Sequence, residues 1–145
     1  MKKLLLILFI PAILFAAIPF TLDNLTNLRV FCMNKTDFID KSQVSKIKTM
    51  AEEKLKSAGI VMNKIDASTV MIKLESLKLE KIYVVNVTLA VGEEIITKRK
   101  DSPQTLAFTY FMNDMIDTDE PYEDTIESIN FLLDGFVEAY INDKE

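Results

Sequence analysis

Residues 68–91 read STVMIKLESLKLEKIYVVNVTLAV, two strand patterns in succession. Val70, Ile72 and Leu74 alternate with Met71, Lys73 and Glu75, the period of a strand that buries one face. At Ser76 the phase slips, because Leu77 and Leu79 carry the apolar side from there on, and a bulge or bend is expected at that point. Glu80 and Lys81 make a polar break. Residues 82–91 are apolar on both faces apart from Asn86 and Thr88, as expected of a central strand.

Downstream, residues 92–105 contain Pro103 and the cluster Lys98, Arg99 and Lys100, and form the expected hairpin connection, with the preceding strand able to extend to Ile96. Residues 106–112 give a further strand, with Phe108 and Tyr110 on one side and Phe111 on the other. Three consecutive strands predict an antiparallel meander. The closing element is helical. Ile126, Ile129, Leu133, Phe136, Val137, Tyr140 and Ile141 recur at spacings of three and four, Pro121 suits the first turn, and Glu120, Glu123 and Asp124 suit the positive end of the helix dipole. Gly135 costs this helix some stability, a cost tolerable where the backbone passes close to the sheet.

Upstream, residues 28–33 are a short apolar run rich in strand formers, ended by Asn34, Lys35 and Thr36. A helix follows with marked ends. Asp40 is its expected N-cap, Gln43 completes a capping box, and Ile39 and Val44 hold the staple positions. Gly59 suits the left-handed position after the last turn, which lets Ile60 touch Leu55. Val44, Ile47, Ala51, Leu55 and Ala58 form its apolar stripe. The order β-α-β-β-β-α predicts a two-layer α+β sandwich, a mostly antiparallel sheet of about four strands with two amphipathic helices on one face.

The N-terminus carries an address. Lys2 and Lys3 precede an uncharged run over residues 4–20, interrupted by Pro11, with small residues at Ala16 and Ala17. Seventeen apolar residues lie at the lower limit for crossing a membrane, so the segment reads as a cleaved secretory signal over residues 1–17, with residues 18–145 as a single exported, periplasmic domain. Cutting after Ala16 or Ala17 leaves Leu14 or Phe15 three positions upstream, so the bond is not fixed, and retention of residues 4–20 as an inner-membrane anchor is the alternative. Without Lys2 and Lys3, fifteen basic residues face twenty-two acidic ones, a formal charge of −7. Such a chain repels nucleic acid and anionic membrane surfaces, and neither is an expected partner.

With no histidine and one cysteine, the chain lacks the groups for a tetrahedral zinc site, a Ser-His-Asp triad or a Cys-His dyad. Cys32 sits in the apolar run Val30-Phe31-Cys32-Met33 and reads as a buried core residue. Glycines stand singly at 59, 92 and 135, too scattered for a phosphate cradle. Most acids fall on expected surface or loops, where no pair is held as glycoside hydrolysis requires. No catalytic residue, cofactor or metal ligand is assigned, and a non-enzyme is expected.

The helix end Leu55-Lys56-Ser57-Ala58-Gly59-Ile60-Val61, the strand opening Ser68-Thr69-Val70-Met71-Ile72 and the closing Phe136-Val137-Glu138-Ala139-Tyr140 resemble small bacterial envelope domains, the N-terminal domain of the translocation protein TolB and related periplasmic accessory modules. The resemblance spans nearly the whole exported chain, and it implies a non-catalytic module that docks onto other envelope proteins. Four local features have weaker claims. Asp114, Asp117, Asp119, Glu120, Glu123 and Asp124 could offer oxygen ligands to calcium but lack the EF-hand order, and acids are expected at a loop and helix start. Lys98, Arg99 and Lys100 read as solvated charges at a hairpin tip. Asn24, Asn34 and Asn86 each open an Asn-x-Thr triplet that matters only in a glycosylating host. Met50, Met62, Met71 and Phe111 could wall a site for a small apolar ligand between sheet and helices, the rival function, although such residues are more often core.

The expected function is that of an exported interaction domain, recognising an envelope protein through a free sheet edge, residues 28–33 or 106–112, or through the apolar groove beside the helices. The sequence leaves the partner and the oligomeric state open.

Overall fold

A computed structural model describes residues 21–143; the expected signal segment lies outside them. Seven elements follow in order: β1 (Asn27–Lys35), α1 (Lys41–Ser57), β2 (Val61–Met62), β3 (Ser68–Leu79), β4 (Ile82–Ile96), β5 (Gln104–Thr118) and α2 (Pro121–Asn142). The strands form one sheet in the order β2-β1-β3-β4-β5, with both helices on one face.

The α+β class and the meander β3-β4-β5 are as the sequence predicts, while the sheet differs in two respects. It has five strands rather than about four, and β1 is parallel to both β2 and β3, so the sheet is mixed. A strand that re-enters the sheet after a helix has crossed one face returns parallel to the strand it left. Both β2 and β3 follow α1 in this way. The two-residue β2 is too short to show a period.

α1 begins where its caps dictate. The Asp40 carboxylate accepts from the Gln43 backbone N–H, and the Gln43 side chain accepts from the Asp40 N–H, both at 2.8 Å. At the other end Gly59 takes φ +83°, and the N–H groups of Ile60 and Gly59 donate to the carbonyls of Leu55 and Lys56. This reversal buries Ile60 beside Leu55 and starts β2.

The core lies between the helices and one sheet face. Val70, Ile72 and Leu74 of β3 and Val85, Val87, Leu89 and Val91 of β4 pack with Ile47 and Leu55 of α1 and Leu132, Leu133, Phe136 and Tyr140 of α2. Tyr110 meets Phe136 edge to face at 5.1 Å. At Gly135 the backbone of α2 passes close to the Met112 side chain of β5: a Cβ there would lie 3.4 Å from the Met112 Cε.

Three strand expectations need correction. No bulge occurs at Ser76, since β3 pairs with β4 without a shift from Thr69 to Leu79. Leu77 and Leu79 simply occupy the opposite face. The register shift lies between Val91 and Gly92, where Thr109 is the extra residue of β5, and it puts Phe108 on the face of Phe111 instead of beside Tyr110, which lies in the core. β5 also continues to Thr118 instead of stopping at Met112, so Asp114 and Asp117 belong to a strand and not to a loop.

Candidate functional site

No described element covers the second face of the sheet, and its composition follows from the registers. Phe31, Met71, Ala90 and Phe111 stand side by side across four strands. The next row is Met33, Lys73, Thr88 and Asn113, and the one after it Lys35, Glu75, Asn86 and Met115. On the far side of the aromatic row come Arg29, Thr69, Gly92 and Phe108, with Phe108 and Phe111 at 6.3 Å between ring centres. Phe31, Phe108 and Phe111 are 50%, 52% and 40% exposed. Beyond the charged rows Leu77, Leu79 and Ile82 are exposed as well. The face is thus two apolar bands separated by polar rows.

Charge pairing keeps the polar rows ordered. Lys73 Nζ lies 2.7 Å from Glu75 and Lys35 Nζ 3.5 Å from it. The hydrogen bond from Lys73, helped by the charges of Lys73 and Lys35, holds the Glu75 carboxyl below its ordinary range. Asn86 Oδ1 is buried in this region without a hydrogen-bond partner among the described residues.

Among the described residues the sheet is open on two edges, along β5 and along β1 beyond Leu28, and the β5 edge is the longer. Of the two candidates, β1 is flanked by β3 along most of its length and by β2 at Asn27 and Leu28. Among the described residues β1 is unpaired only from Arg29 to Lys35, whereas β5 pairs only with β4, so its other side is left unpaired over the whole strand, residues 106–112 included. Neither proline nor lysine protects it. Charge is partitioned with respect to this edge: residues 104–142, which contain β5 and α2, hold nine acidic residues and no lysine or arginine. That pattern is legible in the sequence, but a total charge averages it away.

The other candidate residues do not assemble into a site. Asp114 accepts from the Ser128 hydroxyl at 2.8 Å and Asp124 from the Thr118 hydroxyl, which itself accepts from the Glu120 N–H at 2.8 Å. These bonds fasten α2 to β5, while Asp117 alternates onto the other face. Among the described residues no group of three acidic or thiol side chains is gathered so as to hold a metal ion. Lys98, Arg99 and Lys100 are exposed in the β4–β5 turn, closed by the Thr97 N–H donating to Pro103 O at 3.1 Å. Asn34 is spent on local structure, its amide bonded to Ile39 O and its carbonyl to Thr36. Asn24 is exposed in a turn, and Asn86 lies within β4.

Cys32 points to the helix side and packs against the core, but it is partly rather than fully buried. Burial pushes its thiol up to about 11 and also raises the Tyr110 phenol. Both keep their protons at neutral pH. The four candidate walls of a ligand cavity are dispersed: Met62 is in the core, Met50 lies in a depression between α1 and α2, and Met71 and Phe111 are on the helix-free face. No described helix is long and apolar enough to cross a membrane. Compared with known proteins, the chain matches no family model and no curated protein.

Proposed function

We propose that the chain is an exported, non-enzymatic interaction domain of the bacterial cell envelope, which docks onto another envelope protein by accepting a strand along β5. The observation that carries this reading is the edge itself, fifteen residues of strand with one side unpaired. An added strand satisfies those backbone groups and extends the apolar row ending at Phe111. The absence of histidine and the suppressed ionisation of Cys32 favour recognition over chemistry. The likeness of its helix ends and strand opening to TolB-type envelope modules supports the compartment.

Photo-crosslinking residues placed in turn at Asn113 and Asp117 of β5, and at Lys48 of α1, test this in the native host. The β5 positions are expected to trap one envelope protein that the α1 position does not. Lysines at Phe111 and Met115, both exposed, are expected to abolish that crosslink and leave thermal unfolding unchanged. Trapping that survives these lysines, or that arises equally from α1, overturns strand addition at β5.

A further inference from the structure

Resting on that reading, we propose that the strand accepted by β5 is an extended, cationic segment of the partner, with an apolar and a basic side chain both directed toward α2. Two depressions open along the seam between β5 and α2. One, of about 540 Å³, is walled by Tyr110, Met112, Gly135, Glu138 and Ala139 together with Leu22. The other, of about 270 Å³, is walled by Asp114, Ile116, Asp124, Glu127 and Ser128. The Ser128–Asp114 hydrogen bond and the contact of Gly135 with Met112 fix which flank of the helix borders the edge.

Along that flank Glu127, Phe131, Gly135 and Glu138 recur at helical spacing, and Phe131 is 61% exposed. A strand hydrogen-bonded to β5 directs alternate side chains to this side of the sheet. One of them meets the mainly apolar depression by Met112 and Ala139, and another meets the carboxylates at the Glu127 end. Charge settles the choice of occupant. With no basic residue anywhere in 104–142, the seam attracts lysine or arginine, and a second copy of the chain would bring an equally acidic β5 and α2, its nearest cations, Lys98, Arg99 and Lys100, lying in the turn before β5.

The test uses the exported chain and synthetic peptides as long as β5. All share one apolar face, and the other face carries lysine, serine or glutamate at alternate apolar-flanked positions. The lysine peptide is expected to bind on the order of tenfold tighter than the glutamate peptide, the combined effect of a few exposed ion pairs. Rising salt and the Glu127→Lys/Glu138→Lys variant are both expected to erase the preference. Two N-methylated lysine peptides, one for each alternating set of backbone nitrogens, keep the charge and block one side of the ladder; one of the pair is expected to lose binding.

Equal binding of all three peptides, with sensitivity to N-methylation retained, overturns the cationic partner and leaves strand addition standing. Binding indifferent to N-methylation, or none by any peptide, overturns strand addition as well. A dimer in sedimentation that Phe111→Lys dissociates assigns the edge to a second copy and overturns the proposal.

Discussion

The helix-covered and helix-free faces of this sheet use the same residue types to different ends. Phe136 on the covered side is fully buried, with Tyr110 edge-on to it, whereas Phe31 and Phe111 stand half-exposed at the ends of a four-strand row. Polar groups differ too. Ser128 and Thr125, on the side of α2 that meets the sheet, are buried and bonded to Asp114 and to Pro121 O, while Lys35, Lys73 and Glu75 on the free face pair in water. What an apolar side chain contributes is set by what lies over it. The covered face carries the core, and the free face keeps its large apolar side chains half-exposed among the described residues.

The sharpest way to break this contrast is to truncate a phenylalanine on each side. Phe136→Ala removes a buried ring from the core and is expected to cost about 3–5 kcal/mol. Phe31→Ala removes a half-exposed one and is expected to cost less than about 1 kcal/mol. Urea unfolding measures both, and similar losses would mean that the free face is covered in solution. Next in size is the start of α1, which holds one half of the covering layer in place. Asp40→Ala deletes the capping box and is expected to cost about 1 kcal/mol by the same measurement, with Asp40→Ser recovering most of it.

How far the sequence carried follows from the same contrast. Helix ends were legible because capping is local chemistry: Asp40, Gln43 and Gly59 act on their own neighbours and behave as their residue types require. Strands were legible wherever polar and apolar residues alternate against a core. The reading failed at Leu77 and Leu79 because it took apolar residues to mark the inner face, and here they mark the outer one. It also stopped β5 six residues early, since the acids of 112–118 look like a loop until Asp114 is seen bonded to Ser128. The parallel pairing of β1 is a long-range choice that no local pattern encodes. As for a free edge, the sequence offers β1 and β5 alike, and only the pairing shows β5 open along its whole length and β1 open from Arg29 to Lys35 among the described residues.

A third prediction concerns the covered side at alkaline pH. Cys32 keeps its proton up to about 11 because burial disfavours the thiolate, while in the unfolded chain the thiol ionises near 9. Stability from the protonated thiol is therefore complete below the unfolded value and declines as the pH rises through this interval. Cys32 is only partly buried, so solvent screening reduces the effect to less than about 1 kcal/mol. Tyr110 contributes in the same direction, and the comparison is best made in a Tyr110→Phe background. There, Cys32→Ser is expected to flatten the loss of urea resistance above pH 9. A slope that persists would place the titrating group elsewhere.

The smallest effect is the most informative about the free face. Lys73 and Lys35 hold the Glu75 carboxyl below its ordinary range, so their contribution is present above the unfolded carboxyl's pKa and fades as the pH falls through the depressed folded one. The carboxyl faces solvent on the uncovered side of the sheet, its side chain 36% exposed, and Glu75→Gln is therefore expected to leave the urea midpoint at neutral pH almost unchanged, with little difference in acid. That near-silence has a physical content. An ion pair in water is screened, whereas the same pair under a covering body loses its hydration and becomes costly to break. The same substitution measured with the partner peptide bound distinguishes two modes of docking. If the added strand only lengthens the sheet beyond β5, Glu75, two strands inward, stays silent. If the partner also lies across the face, Glu75→Gln weakens binding and the loss grows as salt is removed.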